Sequence, residues 1–361
     1  MILYILIIFF IISPFFPATG ISHWFFRTAD FVRLQSLFIQ TVLLGFFLYS
    51  EENFTIFSWI VIVALIATML YQLYKVFPYS SLFPRTRRLH TGSDGQVSIL
   101  AGNVLQTNTH YQDFISEVKR FDPDLVLTME TNKDWENSLS EIEKNYSFSV
   151  KVPLENFYGM HLYSKKELQN VKVKYQIEED KPSIFFDFPI EGEQPIFFCC
   201  LHPAPPSPTE NDTSKERDAE LMLTGKEIRK IDRPTVVCGD MNDVVWSRTT
   251  RLFKKMTGMI DPRVGRGFFS TYHADFFFLR FPLDHLFHTR DLFVGNMIRS
   301  KNFRSDHFAM YYEIHHKKQE KTPKNPKLNG DDKKEVEELV NDGKEHQKEE
   351  KQKQKKSSSS H

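Results

Sequence analysis

Six short segments each end an apolar run in a group able to bind a cation, move a proton or hold an anion. They are Gly102-Asn103-Val104, Met129-Glu130-Thr131, Leu201-His202-Pro203, Gly239-Asp240-Met241-Asn242-Asp243, Pro282-Leu283-Asp284-His285 and Ser305-Asp306-His307. Singly, each is commonplace: an asparagine after a strand is usually a turn residue. Together they offer oxygen ligands for a hard divalent ion that keeps several waters. They also offer Asp and His groups for general acid–base work. Asp240 and Asn242, two apart on an extended segment, are expected to point the same way.

Convergent action requires a scaffold that brings strand ends together. From about Gly95 to Ile314 the chain reads as a soluble α/β domain. Strands are expected at Gln96–Leu100, Leu125–Met129, Ile196–Leu201, Thr235–Cys238, Leu283–Phe287 and Phe308–Ile314, where β-branched and aromatic residues run into polar ends. Tyr111–Phe121 places Phe114, Ile115 and Val118 on one helical face, and Ser214–Ile231 is a second helical stretch. Cys199, Cys200 and Cys238 cannot all pair, so buried thiols are expected. His285 should lie across the strand from Asp284 and pack in the core. His273 and His288 carry no assigned role, and Asp243 reads as a turn cap. The aromatic run Phe276–Phe281 is open to contact with lipid or substrate, or to packing near the membrane region.

The flanks differ in composition. Met1–Phe16, Leu37–Tyr49 and Phe54–Leu73 are apolar, and the third has the roughly 20 residues that a span needs. Residues 1–76 therefore read as a membrane anchor of two or three helices, 77–94 as a linker and 95–316 as the domain. Residues 317–361 read as a disordered charged tail, with a solvated extension preferred over attraction to anionic lipid. The chain has 46 basic and 46 acidic side chains. Residues 1–90 hold six Lys/Arg against three Asp/Glu, and 317–361 hold thirteen Lys against ten Asp/Glu, so the middle is acidic. That balance disfavours tight non-specific binding to nucleic acid. Arg27, Arg33, Lys75, Arg85, Arg87 and Arg88 lie on the domain's side of three spans, opposite Glu51 and Glu52, which places the domain in the cytoplasm.

The ordered set of Asn103, Glu130, His202, Gly239-Asp240-Met241-Asn242 and Ser305-Asp306-His307 resembles the endonuclease/exonuclease/phosphatase superfamily over about residues 95–315. Asp30-Phe31-Val32-Arg33-Leu34-Gln35, Phe77-Pro78-Tyr79-Ser80 and Phe281–His288 resemble a membrane-anchored bacterial branch of it. The resemblance implies a DNase-I-like four-layer α/β/β/α sandwich preceded by a transmembrane helical region. It also implies an integral protein of the bacterial inner membrane that hydrolyses phosphate esters, most readily phosphodiesters, with a metal-activated water. Glu130 would be the main Mg²⁺ ligand, with Asn103 and Asp306 helping, and Mn²⁺ is an alternative ion. Asp240 would activate water beside Asn242; His307, fixed by Asp284, and His202 would hold the phosphate. The general base is open between Asp240 and the Asp284–His307 pair. The expected partners are a lipid, nucleotide or nucleic-acid phosphate ester and the bilayer, with no obligate protein. A nuclease and, less favoured, a catalytically silent binding module are the alternatives.

Overall fold

The computed structural model describes residues 1–84, 95–316 and 326–358. The chain opens with helices α1 (Ile2–Ile12), α2 (Trp24–Phe31), α3 (Arg33–Ser50) and α4 (Ile56–Val76). There follow β1 (Gly95–Asn103), α5 (Tyr111–Phe121), β2 (Leu125–Met129), α6 (Lys133–Leu139), β3 (Phe148–Val152), β4 (Met160–Ser164), β5 (Gln169–Lys174), β6 (Ser183–Phe188) and β7 (Ile196–Cys200). The domain ends with α7 (Lys215–Ile228), β8 (Thr235–Asp240), α8 (Arg248–Thr257), β9 (Asp284–His288), β10 (Leu292–Arg299) and β11 (Met310–His316), and α9 (Gly330–Ser358) comes last.

Two sheets face each other: β10-β11-β1-β2-β4-β3 and β5-β6-β7-β8-β9. Val97, Ile99, Leu127 and Leu162 of the first meet Ile184, Phe186, Phe198 and Val236 of the second in the central core. The outer face of the first sheet buries Phe114, Ile115 and Val118 of α5 and Trp135 and Leu139 of α6. That of the second buries Leu221, Met222 and Ile228 of α7 with Leu252, Phe253 and Met256 of α8. Both faces of each sheet are thus covered, so β2, β6, β7 and β8 are buried throughout and read as continuous apolar runs rather than alternating ones. β5 closes its edge exposed, with Lys172 and Lys174 on it, a charged edge that resists pairing with another chain. The expected mixed α/β fold with two packed sheets is present.

Ile2–Thr19 and Ile56–Tyr79 are long and apolar enough to cross a membrane; α2 and α3 together also pass that test but are bent by 73°. The helices share an apolar cluster around Ile7, Phe47, Val61 and Leu65. Buried amides tie them: Gln72 Nε2 donates to Gln40 Oε1 at 2.7 Å, and Gln40 Nε2 to the Phe10 carbonyl at 2.7 Å. Helix α2 departs from a simple anchor. Its Trp24 N–H donates to Asp212 O, its Asp30 carbonyl accepts from Trp246 Nε1 at 2.7 Å, and its Arg27 pairs with Asp218 at 3.3 Å.

Two expectations require correction. The tail is not disordered where it is described: α9 runs for 29 residues and buries Val336 and Val340 against the α7–α8 layer. Composition misled because the few apolar side chains are joined by contacts it does not disclose: Gly343 lets the helix approach Ala219 and Lys215 closely, and Asp332, Glu335, Glu337 and His346 pair with Lys255, Arg248, Lys226 and Glu216. The 77–94 linker is in part structure, since Phe77–Tyr79 forms a turn of 3₁₀ helix with Tyr79 buried. Residues 85–94 of it lie outside the described residues.

Candidate active site

The site is built at one rim of the two sheets. β1 and β2 run parallel, with Asn103 opposite Met129, so Asn103 and Glu130 emerge side by side. β7 and β8 are also parallel, and β9 returns antiparallel with Asp284 directly opposite Asp240. His202 follows β7, and His307 precedes β11. Gly239 has φ of 132°, and a Cβ there would stand 2.0 Å from the Leu201 carbonyl; only glycine permits β8 to pass so close to the end of β7.

Opposed carboxylates repel unless a cation lies between them. His307 fills that place. Its Nδ1 bonds Asp284 Oδ2 at 2.9 Å, and its Nε2 stands 3.5 Å from Asp240 Oδ2. Burial alone would lower its pKa, but Asp284 and Asp240 outweigh it and hold the imidazolium up to about 10. Ser305 Oγ, which accepts the His307 N–H at 3.1 Å, in turn donates to the Asn103 carbonyl at 2.9 Å. His202 is the opposite case. Burial lowers it to about 4, so its ring is neutral, with Nε2 4.0 Å from Asp240 and a buried Nδ1 that has no partner among the described residues.

Glu130 has φ of 61°, a left-handed conformation costly for glutamate, which turns its carboxylate back toward Asn103. Asn103 Nδ2 donates to Glu130 Oε1 at 2.7 Å and to Asp240 Oδ2 at 3.2 Å, and the Gln106 N–H donates to Glu130 Oε2 at 3.3 Å. Burial, reinforced by Asp306, raises Glu130 to about 7. The carboxylate lacks a Lys or Arg partner among the described residues, and that is the environment a divalent cation would relieve. Glu130, Asp306 and Asn103 therefore fit a hard ion, with Asn103 turning its amide to offer oxygen. Asp240, Asp284 and His307 also offer three ligand atoms within 4.8 Å of one another. The Asp284–His307 hydrogen bond already ties two of these three groups to each other, so the Glu130 side is the better seat.

The strand ends at Asp240, and Asn242, at φ of 48°, lies in a turn. Its approach to the site comes from this turn rather than from a strand's alternation, which corrects the expectation of an extended 240–242 segment. Asp240 Oδ1 accepts the Asn242 N–H at 2.9 Å, and Asn242 Nδ2 donates to Pro203 O at 3.0 Å.

A cleft of about 690 Å³ is lined by Asn103, Glu130, His202, Asp240, Asn242, Asp306 and His307. All eight anticipated residues converge here, Asp284 from behind His307. The sequence did not reveal Tyr272, whose ring lies against His307 with centroids 4.9 Å apart, or Tyr158, which lies against His202 and bonds Glu210. It also missed Phe31, which reaches the cleft from α2. Tyr158 and Tyr272 sit in no motif, and Phe31 lies in the segment 30–35, which carried no expectation of contact with the cleft. His285, as expected, is packed in the core, bonding Asp243 O and Arg263. Asp243 does more than cap a turn: buried, it bonds Ser247 and Thr250 and lies 3.6 Å from Arg217.

The profile of the Endonuclease/Exonuclease/phosphatase family matches residues 95–307, more than half of the chain. The chain belongs to this family, whose members are hydrolases acting on phosphate esters and nucleic acids and typically use divalent metals. No curated protein matches it in sequence. Among solved structures, D. rerio TDP2 complexed with single strand DNA product is 14% identical, with a TM-score of 0.52 over 61% of this chain and 99% of that one. The human nocturnin catalytic domain with bound sulfate is 14% identical, with a TM-score of 0.51 over 61% and 94%. An endonuclease/exonuclease/phosphatase from Beutenbergia cavernae is 11% identical, at 0.51 over 62% and 72%. At these identities the likeness is one of fold.

Proposed function

We propose that this chain is a membrane-anchored phosphodiesterase that hydrolyses its substrate with a divalent ion, Mg²⁺ or Mn²⁺. The observation that carries the reading is the single network Asp284–His307–Asp240–Asn103–Glu130 at the floor of one cleft. Glu130, Asp306 and Asn103 would hold the ion, which supplies Lewis-acid stabilisation of charge on the phosphate. Asp240 takes a proton from water as the water oxygen attacks phosphorus and the ester P–O bond breaks. His307, protonated up to about 10, is poorly suited as base and well suited to donate from Nε2 to a phosphate oxygen. This favours Asp240 as the base. His202 Nε2 and the second N–H of Asn242 donate to the remaining oxygens.

Among the described residues lining the cleft there is no lysine or arginine. A polyanionic strand gains little there, so a compact diester is favoured over DNA or RNA. Anchorage is supported by the two long apolar segments and by Tyr4, whose hydroxyl donates to Glu51 at 2.9 Å and so sets the chain start beside the turn before α4. With the α2–α3 pair running back between them, three crossings leave the domain on the side rich in Lys and Arg, the cytoplasmic face of a bacterial inner membrane.

The test uses the full chain in detergent with bis-p-nitrophenyl phosphate, p-nitrophenyl phosphate and plasmid DNA, each with Mg²⁺, Mn²⁺ or EDTA. Metal-dependent turnover of the diester, lost in Glu130→Gln, is expected. Preference for the monoester or for plasmid would replace the diesterase reading. Turnover undiminished by EDTA would remove the metal from it.

A further inference from the structure

A second polar cavity, of about 280 Å³, opens where the helical region meets the catalytic domain, away from the strand-end cluster. Its walls bring four cations together from elements distant in sequence. Arg33 begins α3, Lys75 lies in the last turn of α4, and Arg248 and Arg251 lie in the first turn of α8. Among the described residues, two carboxylates oppose them. Asp30 is engaged by Arg33 through Nε at 2.8 Å and Nη2 at 2.6 Å, and Glu335 accepts from Arg248 Nε at 2.5 Å. Two positive charges are left over.

Part of this cluster is buried rather than solvated. Arg33 is 1% exposed, and its Nη1 has no hydrogen-bond partner among the described residues. A buried guanidinium N–H without an acceptor costs about 1–3 kcal/mol or more, so such donors are normally satisfied. Lys75 has no carboxylate within ion-pair distance among the described residues. Its Nζ stands 5.1 Å from the centre of the Tyr71 ring, while Arg33 lies over the same ring at 5.5 Å. The arginines of α8 are also placed against the usual preference. The N-terminal turn of a helix carries partial positive charge, favours acidic residues, and here has none. An anion in the cavity relieves all three strains: it accepts from Arg33 Nη1, neutralises Lys75 and Arg251, and meets the positive end of α8.

We propose that this junction is a phosphate-binding site, distinct from the catalytic cleft, that takes a phosphate group on Arg33, Lys75, Arg248 and Arg251. Two net positive charges match a phosphate monoester dianion. The same chemistry is available from a lipid headgroup or from free phosphate. Lys75 closes the longest apolar segment, so a headgroup at the bilayer surface would reach the cavity without leaving its leaflet; only that arm depends on the anchored reading.

The test is equilibrium binding to the full chain, in EDTA so that the catalytic cleft contributes no metal-dependent site. The probes are nanodiscs of phosphatidylcholine with and without phosphatidate, and inorganic phosphate titrated into detergent-solubilised protein. Saturable binding of either probe is expected, weakened about tenfold in Arg251→Gln and in Lys75→Gln and unchanged in Glu130→Gln. Phosphatidate bound and phosphate not would identify the lipid as the source, and the reverse would identify the free ion. Arg251 is exposed, so its variant tests the site without the folding risk of replacing Arg33, and a far-UV spectrum checks both variants. No saturable binding of either probe would overturn the proposal, as would binding that Arg251→Gln and Lys75→Gln leave intact or that Glu130→Gln abolishes. The last result would assign the phosphate to the cleft and leave the diesterase reading standing.

Discussion

The strand-end cluster and the junction beneath α2 are both buried networks of opposite charges, yet they are assembled differently. In the cleft, Asn103, Asp240 and Asp284 end or begin strands and Glu130 follows one at once, and sheet register sets Asp240 opposite Asp284 and Asn103 beside Glu130. At the junction, Arg27 reaches Asp218, Arg217 bonds Asp218 through Nε and Nη2, and its Nη1 donates to the Asn242 carbonyl at 2.7 Å. Here no register operates; packing of one helix against another's flank does the positioning. The comparison teaches that the second network leads into the first. Asn242 is held from below by Arg217, and Phe31, on the same helix as Arg27, walls the cleft. The helical region is therefore packed into the site's support.

The largest effect expected is on the cleft side. Asp240→Asn keeps the shape and removes the proton acceptor, and kcat should fall by about 10²–10⁴ with KM little changed. A KM effect with kcat preserved would move Asp240 from proton transfer to binding and return the base to the Asp284–His307 pair.

The junction is tested next by Arg27→Met, which removes one cation from Asp218 while Arg217 remains. Breaking a buried pair from one side costs about 3 kcal/mol, read as a shift of the denaturant midpoint at constant slope. If the two networks are one, kcat falls as well, and a domain cut free of residues 1–76 is impaired even on a soluble diester. An unaltered kcat in the folded Arg27→Met protein would show that the networks are independent.

That difference in assembly also explains what the sequence discloses. The sandwich and the convergence of the eight candidate residues were legible because strands and their polar ends are local: Leu125–Met129 was expected and found without a shift, and Glu130 follows at once. β5 was missed because Gln169–Lys174, exposed at the sheet's edge, carries little apolar signal. α8 was missed because its buried Leu252, Phe253 and Met256 are interleaved with basic residues. Arg217 and Phe31 could not be assigned, since nothing in their neighbourhoods says which distant surface they meet. The tail was misread for the same reason. Its helix is polar except where α7 happens to receive it.

Acidity distinguishes the two halves of the cleft. His307 is raised from its ordinary value near 6.5 to about 10, so the stability and charge of its pairs are fully present below 6.5 and lost as pH rises through 10. Activity that needs its proton should decline over that upper range, and Asp284→Asn should move the decline to lower pH. Glu130, raised to about 7, binds a proton in competition with a cation. The metal concentration for half-maximal rate should therefore increase as pH falls below 7. A metal requirement independent of pH between 5 and 8 would place the ion elsewhere, and the Asp240–Asp284–His307 group would be the next seat to examine.

The smallest effect is expected at α9, which packs on α7 and lines no part of the cleft. Val340→Ala deletes two buried methyl groups from the face packed on α7, at a cost of about 1–2 kcal/mol in stability. Its rate constants should match the parent's. Glu216, bonded to His346 of α9, is adjacent to Arg217, so a contrary path does exist. A fall in kcat with Val340→Ala would mean that α9 sets the position of α7, and through Arg217 the position of Asn242. The catalytic loop would then rest on a helix whose composition gives no sign of it.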